Sequence, residues 1–388
     1  MDFKESDDHK AIRAAVEQIC ARFPLEYWLE KDRNGGFPHD FHKAFADAGW
    51  LGIAMPQEYG GAGLGISEAA VIMETVAASG AGLAGASTVH FNIFGLHPVV
   101  VYGTPEQKTR WLPPLIRGEN KACFGVTEPN TGLNTLKLKT TAVKKDGRYV
   151  VHGQKIWIST AQVANKFLLL ARTTPAEEVT KRTHGLSLFY TDFDRSKIEV
   201  REIDKMGRKA VDSNQLFIDG LEIAEEDRIG EEGRGFEYIL HGINPERVLV
   251  SAEAIGLGRF ALKRAAQYAR ERVVFDRPIG QNQGIQHPLA ERWIELESGA
   301  LMYQKAGWLY DQGQPCGAEA NAAKFLCCEA GYRACETAIL THGGMGYAKE
   351  FHVERYFREA MISRIAPVSP QMVLNFIAEK VLGLPKSY

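Results

Sequence analysis

The chain has 388 residues, enough for two to four domains with substantial cores, and its 45% hydrophobic and 24% charged composition is that of an ordinary soluble globular protein. A formal net charge of -2 gives no reason to expect nucleic acid or an acidic membrane surface as partner. The six cysteines show no CxxC or metal-ligand spacing, so reduced packing residues and no metal site are expected. The first ten residues, MDFKESDDHK, are polar and acidic, unlike a signal or transit peptide, and no apolar run reads as long enough to span a membrane. A cytoplasmic location is expected, or the mitochondrial matrix if the chain is a processed form.

Residues 1–120 read as a helical domain. Residues 7–19 have amphipathic spacing, residues 40–48 follow Pro38, and Ser67 can cap a helix over 68–78. Thr104, Pro105 and Glu106 supply a cap, a first-turn proline and a first-turn acid for a helix that Pro113 and Pro114 should disturb. Glycine-rich stretches at 60–63 and 80–85 mark loops or close backbone approach. From 121 to 230 the period becomes that of strands. Residues 140–151 alternate around Asp146-Gly147, a hairpin signal, and 167–170, 186–190 and 215–218 are further short strands, which together predict a small antiparallel barrel or sandwich.

Helical periodicity returns over 231–388. The longest helix begins near Asn244, a good N-cap, with Pro245 at the first helical position and Glu246 in the first turn, near the positive end of the helix dipole. Val248, Leu249, Ala252, Ile255 and Leu262 recur at helical spacing, and Gly256 and Gly258 keep part of the surface narrow. Helices over 285–309, 318–341, 351–362 and 371–382 complete a bundle. The predicted class is thus α+β multidomain: an N-terminal α-helical domain, a central antiparallel β-barrel or sandwich, and a C-terminal helix bundle.

Four segments, in order and over nearly the whole chain, match short signature motifs. Phe124-Gly125-Val126-Thr127-Glu128-Pro129-Asn130-Thr131-Gly132 is similar to TEPxAG, and Gly153-Gln154-Lys155-Ile156-Trp157-Ile158-Ser159 to GxKxWIT. Arg272-Val273-Val274-Phe275 with Gln283-Gly284-Ile285-Gln286 is similar to RxxFG and QxxQ, and Gly343-Gly344-Met345-Gly346-Tyr347 to GGxGY. Taken singly, Trp157 reads as core, Phe275 as a plug at a helix end and Arg272 as a solvated charge; in conjunction the four segments resemble the acyl-CoA dehydrogenase family. This resemblance implies an FAD enzyme that introduces a trans double bond between the α and β carbons of an acyl-CoA, transfers the β-hydride to flavin N5 and passes electrons to an electron-transfer flavoprotein.

By matching position, the resemblance implies that Phe124, Val126 and Thr127 line the flavin from the barrel side, while Trp157, Ile158 and Ser159 contact its ring. Arg272, Phe275 and Gln283 would reach the pyrophosphate and adenine half from a neighbouring subunit, with Gly343 and Gly344 approaching through the backbone, and Ser369 and Gln371 supplying other cofactor contacts. Asn244, Arg247, Phe91, Phe94 and Gly132 fall on the acyl-CoA side. A site shared between subunits implies a homo-oligomer, a dimer of dimers by family habit.

Abstraction of a proton next to a thioester needs a carboxylate. Many members of the family place it in a YEGT-like segment, but an ungapped match puts Pro367, in Ala366-Pro367-Val368-Ser369, at that glutamate. Isovaleryl-CoA and long-chain acyl-CoA dehydrogenases carry the base on the long helix instead, in a segment resembling Pro245-Glu246-Arg247, which assigns the role to Glu246. Pro367 also lacks the N–H that in the family holds the thioester oxygen. Leu133, Asn134 and Leu340 depart from the usual Ser-Asp pair and cofactor-contacting glutamine. An oxygen-using acyl-CoA oxidase, and a flavin- or acyl-CoA-binding member with altered or lost dehydrogenase activity, are the alternatives.

Overall fold

The structure, a computed structural model, describes residues 4–387. Among the described residues, seven α-helices form the first part: α1 (Asp7–Cys20), α2 (Leu25–Asn34), α3 (His39–Asp47), α4 (Ile66–Val76), α5 (Gly82–Phe94), α6 (His97–Tyr102) and α7 (Pro105–Ile116). Thr104 caps α7 as expected, its hydroxyl accepting the Gln107 N–H at 3.2 Å, but Pro113 and Pro114 lie inside the helix and do not end it. Ser67 is not the cap of α4. That helix starts at Ile66, and a carboxylate far along the chain, Asp311, accepts the Ile66 and Ser67 N–H groups at 2.8 and 2.9 Å. The glycines at 80–85 mark a sharp bend and not a loop: Gly80 has φ +97° and Gly82 begins α5. The combined helical run Ile66–Tyr102 is, against expectation, long and apolar enough for a membrane span by length and composition. Its most apolar window is 89% buried inside the protein, which makes it a core element.

The middle part is one eight-stranded sheet with strands β1 (Ala122–Gly125), β2 (Thr141–Lys145), β3 (Arg148–Ser159), β4 (Lys166–Arg172), β5 (Leu186–Asp192), β6 (Ile198–Glu202), β7 (Ser213–Ala224) and β8 (Arg228–Ile229). The order is β6-β7-β3-β2-β4-β5-β8, with β1 added to β4. Asp146 and Gly147, at φ +50° and +75°, make the predicted hairpin turn between β2 and β3. The sheet is mixed where an antiparallel one was expected, because β1 runs parallel to β4 and β2 meets β4 in parallel at Thr141 and Arg172. A bulge in β3 between Lys155 and Ile158 shifts its register with β7 and gives Trp157 a φ of +61°.

The last part holds α8 (Gly235–His241), α9 (Ile243–Glu271), α10 (Gln283–Asp311), α11 (Gly317–His342), α12 (Val353–Ile365) and α13 (Pro370–Phe376), with a two-stranded hairpin, β9 (Val273–Val274) and β10 (Arg277–Pro278), after α9. Asn244 does not cap α9. Gly242, in the αR conformation, carries the chain from α8 into α9 and accepts the Glu246 N–H through its carbonyl at 3.1 Å, so Asn244 is already inside. Glu246 keeps its place in the first turn. Small residues set the packing of α9: a Cβ on Gly331 of α11 would overlap the Ala254 carbonyl, and one on Gly256 the Glu74 carbonyl of α4. Since Ala254 faces Gly331 and Tyr268 stacks on His342 at 4.3 Å, α9 and α11 run parallel.

Candidate active site

Two groups of the expected residues assemble, at opposite ends of α9. At its start, α5 brings two adjacent side chains to different walls: His90 reaches Glu246, and Phe91 packs 6.4 Å from Phe124 of β1. Glu246 therefore stands where α5, α9 and the sheet meet, with its side chain 28% exposed. Phe94, buried at the end of α5, stacks on His97 at 5.2 Å and lies against Gly242, close to Asn244. Asn244 Oδ1 accepts a bond from Arg247 Nη1 at 2.9 Å. Burial pulls the Arg247 guanidinium down to about 10, and its Nε is buried without a partner. Ser369 belongs to the same end: a Cβ on Gly317, at the start of α11, would meet both Phe376 of α13 and Asn244. The Ser369 hydroxyl caps α13 by accepting the Met372 N–H at 3.4 Å, and Gln371 is exposed.

The sheet offers a flat apolar wall. Phe124 is 38% exposed and Trp157 57% exposed, and Ile156 N donates to Thr127 O at 2.9 Å, holding the two segments together. The bulge at Trp157 turns this ring outward, and a positive φ in a bulky residue is the kind of local strain that clusters at ligand sites. Ile158 points the other way, into the sheet core, so only its main chain faces the same side as Trp157. Val126 is also buried, in a second apolar cluster with Leu168 and Tyr238, while Ser159 and Thr127 are partly exposed. Thr131 Oγ1, at the end of this loop, is buried with no partner, and Gly132 next to it is open. Exposed aromatic faces with an unpaired hydroxyl nearby suit a flavin ring.

At the far end of α9, Arg272 terminates the helix and its carbonyl accepts Ile279 N–H at 2.8 Å, closing the β9–β10 hairpin whose tip is Phe275. Phe275 is 94% exposed. Gln283 opens α10 beside it, and the Tyr268–His342 stack brings Gly343 and Gly344, both in open space, to the same end. Arg272 stands roughly 40 Å from Glu246 by the rise of an α-helix.

Reading the sequence missed His90. Its Nε2 lies 2.7 Å from Glu246 Oε2 and its Nδ1 2.5 Å from Glu253 Oε1. The available signal was Glu253 itself, an acid in the otherwise apolar and small stretch from Val248 to Gly258, two helical turns after Glu246 and so on the same face. Pro367 offers neither a carboxylate nor an N–H. The six cysteines are free and buried, as expected, and the described residues contain no cluster able to hold a metal.

Helical, β and helical parts joined at a partly open carboxylate beside exposed aromatic rings define a flavoprotein oxidoreductase architecture. Residues 6–119, 123–221 and 233–382 match the N-terminal, middle and C-terminal domains of acyl-CoA dehydrogenase, and the chain belongs to this family of FAD-dependent enzymes. It is 37% identical over 388 residues to acyl-CoA dehydrogenase FadE12 of Mycobacterium tuberculosis, covering 100% of this chain and 99% of that one. Butyryl-CoA dehydrogenase of Megasphaera elsdenii is similar with a TM-score of 0.93 and 26% identity, over 98% of this chain and 100% of that one. The FAD complex of PigA is similar with a TM-score of 0.93 and 25% identity, over 99% and 100%.

Proposed function

We propose that the chain dehydrogenates an acyl-CoA thioester to the trans-2-enoyl-CoA, with Glu246 as the acceptor of the α-proton. FAD, when bound, supplies the acceptor for the β-hydride. The observation that carries this reading is the position of Glu246, reachable from solvent yet tied through neighbouring residues of α5 to the aromatic wall at Phe124. Arg247, with its unpartnered Nε, is the orienting or CoA-side charge, and Asn244, Phe91, Phe94 and Gly132 complete the substrate side. Phe124, Val126, Thr127, Trp157, Ile158 and Ser159 hold the flavin ring, the last three partly through main chain, and Ser369 and Gln371 add contacts from α13.

Arg272, Phe275, Gln283, Gly343 and Gly344 are too far from Glu246 to serve the same dinucleotide, so a second copy supplies them. The protein is thus a homo-oligomer, a dimer of dimers by family habit, and its electrons pass to an electron-transfer flavoprotein. Anaerobic bleaching of the FAD-loaded enzyme by a panel of acyl-CoA thioesters tests the reading. Glu246→Gln should bleach with none of them; bleaching at wild-type speed would refute the assignment. Rapid reoxidation of the reduced enzyme by air, and not by electron-transfer flavoprotein, would mark an oxidase.

Pro367 favours a second reading, a member that binds acyl-CoA without efficient turnover, since losing one oxyanion donor costs roughly two to three orders of magnitude in rate. Tight acyl-CoA binding with no bleaching across the panel would support it.

A further inference from the structure

We propose that His90 is a positioning residue for the base: tethered by Glu253, its ring holds Oε2 of Glu246 and leaves Oε1 to receive the α-proton, an inference that rests on Glu246 being the base. The geometry is specific. A neutral imidazole carries one N–H and one lone pair, so with carboxylate oxygens 2.7 Å from Nε2 and 2.5 Å from Nδ1 it would aim the lone pair at one of them. Only the imidazolium donates to both. Oε1 of Glu246, by contrast, has no hydrogen-bond partner among the described residues.

The surroundings keep the ring charged. Burial alone would pull its pKa down, but Glu246 and Glu253 together outweigh burial and hold it well above the ordinary histidine range. From the loop between β6 and β7, Arg208 donates to Ser87 Oγ of α5 at 2.9 Å and faces Glu253, Glu359 of α12 and Asp212. Glu253 is buried and stops the ring from turning away, so the base carboxylate is presented in one orientation. As pH rises through the raised pKa of His90, one of its two contacts becomes repulsive and the clamp is lost.

Stopped-flow bleaching at saturating acyl-CoA, with wild type, His90→Gln and Glu246→Gln, tests this. His90→Gln should slow the bleaching step at least fivefold in the folded, FAD-bound fraction, and a smaller effect overturns the proposal. A merely structural histidine would lower the melting temperature and leave this rate unchanged. Glu246→Gln separates the two claims. If it is silent while His90→Gln runs at full speed, only the role of His90 fails; if it bleaches like wild type, the base assignment fails and the clamp with it. Should His90→Gln not fold, Glu253→Ala, which keeps the ring but removes its tether, carries the same threshold. A readout independent of FAD is nitrogen NMR of histidine-labelled protein at pH 7.5. One histidine should show both ring nitrogens protonated, and that signature should vanish in the variant; a neutral ring at His90 overturns the proposal.

Discussion

Asp32 of α2 receives both terminal nitrogens of Arg358 of α12, at 3.0 and 2.6 Å, so one bidentate fork ties the first part of the chain to the last. Asp32 is buried, and Lys349 stands 3.8 Å from the same carboxylate. Asp32→Asn should cost about 2–3 kcal/mol, because a charge-assisted pair is lost while Arg358 keeps its second partner, Glu354. The effect is read from the shift in urea midpoint at pH 7. Burial would raise the Asp32 pKa, but Arg358 outweighs it and holds the carboxyl below its usual value. A depressed carboxyl pKa stabilises above the unfolded value near 3.8 and loses that contribution as pH falls through the folded value. The gap between wild type and Asp32→Asn should therefore be constant above pH 5 and close only in strong acid.

Asp311 caps α4 from another helix, accepting from Ile66 N, Ser67 N and the Ser67 hydroxyl. Asp311→Ala should cost about 1–2 kcal/mol, the scale of a lost N-cap. Hydrogen exchange should localise the loosening to the first turn of α4, and uniform loss of protection across α10 would contradict the capping role.

Gly331 lets α11 approach the Ala254 carbonyl of α9. An alanine there gains helix propensity but overlaps main chain, which cannot rotate away as a side chain can. Gly331→Ala should destabilise by about 1–3 kcal/mol despite the better helix former. A melting temperature equal to or above that of wild type would show that the seam can open without cost.

Leu340 is 72% exposed near the C-terminal end of α11, where the family resemblance places a cofactor-contacting glutamine. Leu340→Gln should change stability by no more than about 0.5 kcal/mol. It should raise the FAD retained through gel filtration, read from the ratio of flavin to protein absorbance. Unchanged retention would place this position outside the cofactor site.

The elements that local chemistry dictates were readable. Asp146-Gly147 can take the positive φ of a tight hairpin, and the periodic apolar face of α9 extends far beyond any competing pattern. What escaped depends on partners distant in the chain. Asn244 looks like a cap because Pro245 follows it, yet Gly242 continues the helical path from α8 and makes the cap unnecessary. Ser67 looks like a cap because it precedes Glu68, yet Asp311, 245 residues from Ile66, has the better-placed carboxylate. His90 lies in the run Thr88-Val89-His90-Phe91, where a lone histidine reads as core, and its two partners follow 156 and 163 residues later. Glu246 could be picked out only through the family's base on the long helix, since an acid in a first turn is too common to single out by itself.

Two helix starts in the first part are completed by carboxylates from the last. Besides Asp311 on α4, Glu359 accepts the Leu83 and Ala84 N–H groups at the start of α5, at 2.7 and 3.1 Å. During synthesis these donors leave the ribosome while Glu359, 276 residues beyond Leu83, has yet to be made. At about 5–20 residues per second the wait is tens of seconds. Nascent chains arrested before Asp311 should therefore be cut by protease within α4 and α5, and resistance there would show that the opening third matures alone. On this account the emerging protein should depend on holding chaperones until its final helices arrive.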